Sequence, residues 1–215
     1  MAKKEVPLHA LSAYLPQGAL EPVLDYLHQY HIHLTITRER NSVLGDYRHA
    51  HQHKNHRISV NGNLNPYAFL VTLLHEMAHL LAFEQFGNRI APHGREWKQE
   101  YSRILARFLD QHIFPADIET ALLSSIRNPS ATTCGEEQLM RVLRRYDQRR
   151  PGDVLVEEVP EGAFFQTPDG RVFRKGEKLR KRHKAVDIRT GAIYVFSAVY
   201  EVKQVEHPDA GRTKK

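Results

Sequence analysis

The sequence predicts an α+β protein, with a helix-rich domain over residues 1–148 and a small all-β domain over residues 149–208. Three observations support this prediction. Apolar residues recur at helical spacing through much of the first 148 residues. Two segments near the beginning alternate apolar and polar residues as strands do, and only short alternating runs follow Arg149. Residues 209–215 are predicted to form a disordered tail.

The first elements are a helix and three extended segments. Residues 18–30 carry leucines and a valine at helical spacing. Residues 33–40 and 56–63 alternate apolar and polar side chains, and residues 43–53 form a further extended piece. Asn61-Gly62-Asn63 has turn chemistry. We therefore expect a small antiparallel sheet.

A long helix is predicted over Pro66–Phe86. Asn65 is a suitable N-cap, Pro66 suits the first helical position, and Gly87 is a natural stop. A capping box at Thr133–Glu136 precedes the last helix of the domain. Three further helices are predicted, over residues 95–112, 115–126 and 136–148.

The pattern changes at residues 149–152. Short alternating runs follow, and Pro168-Asp169-Gly170 and Thr190-Gly191 separate them as turns. We expect these runs to form a small barrel-like sheet that protects its own edges.

Composition excludes several classes of protein. A single cysteine, Cys134, excludes an intrachain disulfide and a zinc ribbon built on paired CxxC motifs. No apolar run approaches the roughly 18 residues of a membrane span, and the first 16 residues lack the apolar core of a signal peptide. We therefore expect a cytoplasmic protein with no membrane partner. The net charge of +6 and the pI of about 9.4 suit polyanionic partners.

The segment HEMAH places His75 and His79 four residues apart on the long predicted helix. Residues at this spacing stack on one helix face, so two neutral imidazoles can bind one tetrahedral zinc ion. Glu76 lies beside them and can take a proton from water. The alternative, core histidines with ordinary hydrogen bonds, is disfavoured because unpaired polar groups are costly on an apolar helix.

A catalytic zinc site needs a third protein ligand. The metzincin pattern would place this ligand at residue 85, which is glutamine, so the sequence does not fit the metzincin class. Glu96 and Glu100 on the following helix are candidates. His93 is better placed, because Pro92 and Gly94 shape a turn there.

These residues resemble the SprT-like metallopeptidase family, whose eukaryotic relative Spartan digests proteins crosslinked to DNA. The motifs HEMAH, HGREW, GDYR and ISVN carry the resemblance, which runs from about Leu20 to Trp97. It implies a zincin-like domain in which His75, His79 and His93 bind zinc and Glu76 is the general base. Many family members end in a cysteine-rich zinc ribbon, which this chain replaces with its β-rich segment.

The residue that stabilises the oxyanion is not assigned by the sequence. Tyr47, Arg48, Tyr101 and His112 are candidates, each with an ordinary structural role as its alternative. Trp97 is expected to be a core anchor beside the metal site. His49, His51 and His53 alternate, with His56 close behind. On a strand the first three would share one face and could bind a stray divalent metal ion, but we expect a solvated edge or loop.

The segment over residues 171–184 carries eight Lys/Arg side chains and one acidic residue, Glu177. With nearby aromatic residues, it could contact DNA or RNA through phosphates and stacking. Alternatively, its charges form a solvated sheet edge. The candidate contact residues are Arg174, Lys175, Lys178, Arg180, Lys181, Arg182 and Lys184.

The sequence thus predicts a zinc-dependent endopeptidase acting on proteins, including DNA-associated or DNA-crosslinked proteins. One alternative is a zinc peptidase without a nucleic-acid role, and salt-dependent DNA binding would separate it from the first reading. The other is a non-catalytic zinc module that binds nucleic acid. Glu76 argues against the last, because a purely structural site has no use for it.

Overall fold

The computed structural model describes residues 8–40, 43–51, 55–127, 137–148 and 152–206. The chain divides into two compact units, residues 1–147 and 148–215, and each is described by itself. The first combines helices with a sheet and the second is built on a sheet, which confirms the α+β class. The predicted capping box at Thr133–Glu136, Cys134, His53 and the tail over 209–215 lie outside the described residues.

The helices of the first unit begin and end near the predicted positions. Asn65 caps the longest one, since its Oδ1 accepts a hydrogen bond from the Ala68 amide at 2.9 Å, and the helix ends at Gly87 with φ of 71°. The five α-helices that the described residues form are α1 (Leu20–Gln29), α2 (Pro66–Phe86), α3 (Arg95–Leu109), α4 (Ala116–Arg127) and α5 (Glu137–Leu143). Short 3-10 helices occupy Leu8–Tyr14, Gly87–Arg89 and Arg144–Tyr146.

In the described part of the first unit, three strands form a sheet: β1 (His33–Thr37), β2 (Gly45–Arg48) and β3 (Arg57–Asn61). Their order is β1-β3-β2, so β2 lies at an edge. It pairs antiparallel with β3, whereas β1 pairs parallel with β3. The predicted antiparallel sheet is therefore wrong for one of its two pairings. Alternation along a strand shows which face is buried but not which strand is its neighbour.

Helix α2 lies at the centre of the first unit. Most of its residues are buried, including Leu70, Leu73 and Met77, and the partly buried side chains of β1 and α1 pack against the same core. By length and composition alone α2 could cross a membrane, but two thirds of its apolar window is buried inside the protein. A helix that is apolar on all sides is expected at such a position.

Within residues 152–206 the second unit contains six strands: β4 (Asp153–Leu155), β5 (Phe164–Gln166), β6 (Val172–Lys178), β7 (Arg182–Asp187), β8 (Ile193–Ser197) and β9 (Glu201–Val205). They pair antiparallel in the order β4-β9-β5-β6-β7-β8. Phe165, Phe173 and Val202 lie in its core. The all-β prediction is confirmed, but the sheet over residues 152–206 is an open half-barrel that ends at β4 and β8. The expected closure, which would protect both edges, is absent there.

Candidate metal centre and basic surface

Helix α2 presents three polar side chains from the middle of the core. His75 and Glu76 are buried, and His79, one turn beyond His75, is partly buried. The i, i+4 spacing places both imidazoles on one face of the helix. The side chains therefore occupy a largely water-excluded position that only specific partners would stabilise.

A tight turn brings His93 to the same place. The Gly94 amide donates a hydrogen bond to the Ala91 carbonyl at 2.9 Å, and Pro92 and His93 occupy the two central positions. The φ of His93 is 56°, the positive value that a type II turn requires at its second central residue. A Cβ at Gly94 would lie 2.9 Å from the Ala91 oxygen, so only glycine fits there without a shift.

The three imidazoles converge on one point. The Nε2 atom of His93 lies 3.2 Å from Nε2 of His75 and 3.0 Å from Nε2 of His79. Two nitrogens bound tetrahedrally to one zinc ion at 2.0–2.1 Å would be about 3.3 Å apart. The donor set and its spacing therefore fit a zinc ion with three protein ligands, and these histidines are the group within the described residues that could hold a metal ion.

Burial keeps these histidines in the form that binds metal. It lowers the pKa of His75 to about 3 and that of His79 to about 4, and each is lowered further by the nearby histidines. Burial also lowers the pKa of His93. At neutral pH the imidazoles are thus uncharged, and neutral imidazole is the form that coordinates metal.

Glu76 is the carboxylate beside this cluster. Burial, followed by the nearby Asp46 carboxylate, raises the pKa of Glu76 to about 8, and the Arg40 guanidinium opposes the shift. A bound dication would favour the charged carboxylate. Glu76 does not belong to the three-histidine group and is free for a role other than metal binding.

Aromatic side chains on α3 hold the histidine rings in place. The Trp97 ring centroid lies 4.7 Å from those of His75 and His93 and 5.3 Å from that of His79, and Tyr101 stacks on Trp97 at 4.9 Å. Nδ1 of His75 is buried with no hydrogen-bond partner in the part of the chain described. The orientation of His75 therefore depends on ring packing. Trp97 is the core anchor that the sequence predicted.

A hydrogen-bonded network supports His79 from β2. The Tyr47 ring is parallel to the His79 ring, with centroids 6.3 Å apart, and its hydroxyl lies 2.9 Å from Nδ1 of His56. The Ala50 amide also donates to this Nδ1, so the His56 proton is on Nε2, which faces Glu84 at 3.2 Å. No motif in the sequence predicts the links from Tyr47 to His56 and from His56 to Glu84, because they depend on how β2, β3 and α2 pack together.

The other candidates do not join the three-histidine group, although the Tyr101 ring lies 5.5 Å from the His75 ring. Glu100 is buried and accepts two hydrogen bonds from Arg103, and neither Glu100 nor Glu96 joins the three-histidine group. Among the oxyanion candidates, Arg48 pairs with Asp46 at 2.9 Å and the His112 side chain is 89% exposed. Tyr101 is buried against Trp97.

The predicted nucleic-acid residues of the second unit separate into two groups. Lys175 is buried, and its ammonium donates to the carbonyls of Glu157 and Val159. It is therefore not available for phosphate, and burial lowers its pKa. Lys184 is partly buried and pairs with Glu177. The remaining candidates are exposed: Arg174, Lys178, Arg180, Lys181 and Arg182.

Three of these cations surround a depression at the turn between β6 and β7. Leu179, Arg180, Lys181 and Arg182 line it, with a volume of ≈ 400 Å³. The Leu179 amide donates to the Arg182 carbonyl at 2.7 Å, which closes the turn. We refer to Arg180, Lys181 and Arg182 as the basic turn.

Comparison with known proteins finds similar sequences for the segment that contains the three histidines. The SprT-like family model matches residues 19–118. Protein SprT of Pseudomonas fluorescens (strain Pf0-1) is 59% identical over 27 residues, which cover 13% of this chain and 16% of that protein. Protein SprT of Yersinia pseudotuberculosis serotype O:1b (strain IP 31758) is 55% identical over 31 residues, 14% of this chain and 18% of that protein.

These matches cover less than a fifth of each relative's length. No solved structure matches the chain. The matched segment nevertheless includes α2, the turn at His93 and α3, and so contains every residue of the three-histidine cluster together with Glu76. The family model and both SprT relatives thus support assignment of the segment over residues 19–118 to the SprT-like family.

Proposed function

We propose that this chain is a zinc-dependent endopeptidase with a zincin-like first unit. The convergence of His75, His79 and His93 beside the buried Glu76 carboxylate supports the proposal most directly. Three protein ligands leave a fourth position for water, as in catalytic rather than structural zinc sites. A bound zinc ion would lower the pKa of that water and polarise the carbonyl of the scissile peptide bond.

Glu76 carries the proton transfers in this proposal. Its carboxylate accepts a proton from the attacking water and later delivers a proton to the leaving amine. Burial and the neighbouring Asp46 raise its pKa, and a bound dication would favour the charged carboxylate that the first step needs. Trp97 and Tyr47 exclude water from the rings of the ligands and hold their orientation.

The basic turn supports a second part of the proposal, contact with DNA or RNA. Three exposed cations in consecutive positions can follow a phosphate backbone, and this unit carries them instead of a cysteine-rich ribbon. The substrates would then be proteins on or crosslinked to DNA. A zinc peptidase that acts without nucleic acid remains the alternative.

Proteolysis of a purified DNA-binding protein tests both parts. We expect cleavage that stops with 1,10-phenanthroline and returns with added zinc, and that increases when duplex or single-stranded DNA is present. Cleavage that DNA does not change would favour the peptidase without a nucleic-acid role. Zinc and DNA binding without cleavage on any substrate would contradict the enzyme and favour a binding module.

Replacing Arg180, Lys181 and Arg182 by alanine should weaken binding to duplex DNA and reduce its salt dependence. Each lost phosphate contact flattens the slope of log affinity against log salt by roughly 0.9. Fluorescence anisotropy over a salt series measures the slope. The control variant replaces Arg38, Arg57 and Arg127, three exposed arginines of the first unit, and should leave the slope unchanged. If both variants behave like wild type, the basic turn is a solvated edge.

A further inference from the structure

Strand β2 lies against α2 with two residues facing the candidate site. Alternate residues of a strand share a face, so Gly45 and Tyr47 point the same way. Tyr47 stacks on His79, and Gly45 lies against Glu76, which precedes His79 by three residues. The edge strand thus contacts both a proposed ligand and the proposed general base.

Gly45 leaves no room for a side chain. A Cβ built on it would lie 2.6 Å from Oε1 of Glu76, 2.8 Å from Cγ of Glu76 and 2.9 Å from Cγ2 of Thr72. Cβ atoms in proteins essentially never approach other atoms this closely, and ordinary contact begins at 3.4 Å. The φ of Gly45 is not in the positive region, so glycine is required here for space and not for backbone freedom.

The neighbouring groups cannot all give way. Thr72 is buried and β-branched, and β-branched side chains on a helix are restricted to few rotamers. Glu76 is the longer and more flexible neighbour, so its carboxylate must make most of the shift. To restore ordinary contact, Oε1 would have to move by about 0.8 Å.

We propose that Gly45 is a positioning residue, whose missing side chain sets the place of the Glu76 carboxylate beside the three histidines. The catalytic meaning of this inference rests on the proposed function, whereas the contact itself does not. A displacement of about 1 Å can reduce turnover by about 100-fold. Gly45→Ala should therefore lower kcat by about 10- to 100-fold, with KM and zinc content near wild type.

Gly62→Ala is a matched control. A Cβ there would lie 2.7 Å from Cγ2 of Ile36 and 3.3 Å from Cε1 of Tyr14, so this position is also crowded, but its three nearest atoms do not belong to Glu76. This variant should lose thermal stability while its folded fraction keeps the wild-type kcat. An equal loss of kcat in both glycine variants would overturn the inference, because crowding anywhere in the sheet would then explain it.

Two double variants test whether Gly45 acts through Glu76. In the Glu76→Gln background, adding Gly45→Ala should lower the residual kcat only slightly. If Gly45→Ala lowered kcat by the same factor there as in the wild-type background, the inference would be overturned. Thermal unfolding gives a readout independent of activity. Gly45→Ala should lower Tm more in the wild-type background than in Glu76→Ala, where part of the clash is removed.

The stability cycle also separates this inference from the proposed function. If wild-type protein cleaves nothing, the proposed function fails, and the Tm difference between backgrounds still decides whether Gly45 and Glu76 are coupled. If Gly45→Ala does not fold, the double variant with Glu76→Ala should fold. Equal destabilisation in both backgrounds contradicts the contact.

Discussion

Replacing Glu76 by glutamine should reduce proteolysis by about two orders of magnitude or more while zinc stays bound, since a positioned general base contributes about that much. Glutamine keeps the size and hydrogen-bonding capacity of the side chain and removes its basic oxygen. Glu76 is outside the three-histidine group, so its loss should leave the donor set intact. Initial cleavage rates, elemental analysis and Tm of the same preparation provide the three measurements.

Glu21→Gln, the same change at an exposed position on α1, is the control and should leave all three quantities at wild-type values. If Glu76→Gln cleaved protein at the wild-type rate, the proposed mechanism would be wrong. Loss of zinc together with activity would show that Glu76 supports the metal, and would favour the binding module over the enzyme.

His93→Asn should lose most of its zinc, in parallel with His75→Ala and His79→Ala. Removing one of three ligands should weaken zinc binding by more than the roughly 10- to 100-fold that follows loss of a ligand's hydrogen-bonding partner. Asparagine is the better substitution at residue 93 because it tolerates the positive φ of 56°. Metal loss then cannot be attributed to backbone strain. Zinc content after dialysis against a weak chelator is the measurement.

His112→Asn is the matched control for this experiment. The φ of His112 is 53°, and its side chain is exposed and outside the three-histidine group. It should retain full zinc. If His93→Asn also retained full zinc, His93 would not be the third ligand. Glu96 would then be the next candidate, since Glu100 is occupied by Arg103.

The predictions that the structure confirms most closely depend on short stretches of sequence. Asn65, Pro66 and Gly87 determine where α2 begins and ends, and the observed bounds are the predicted ones. Caps and stops act within one turn of the helix, so a local pattern contains the information. The turn before α3 is similar, because Pro92 and Gly94 favour the conformation observed at His93.

Pairings between distant segments could not be predicted in the same way. The parallel pairing of β1 with β3 was missed, because β2 comes between them in the chain but lies at the sheet edge. Lys175 is another example. Arg174, directly before it, is basic and exposed, yet the Lys175 ammonium turns inward to carbonyls 18 and 16 residues away.

The sequence by itself determined the helical face shared by His75 and His79 with Glu76 beside it, the turn that presents His93, and the change to an all-β second unit. Spacing along one helix and the chemistry of one turn suffice for these features. Only the tertiary structure decided that the three Nε2 atoms meet, that Trp97 packs against all three rings, and that Gly45 leaves space for Glu76. Each of these contacts joins elements whose relative placement results from burying their apolar faces together, and that packing has no signature in any short segment.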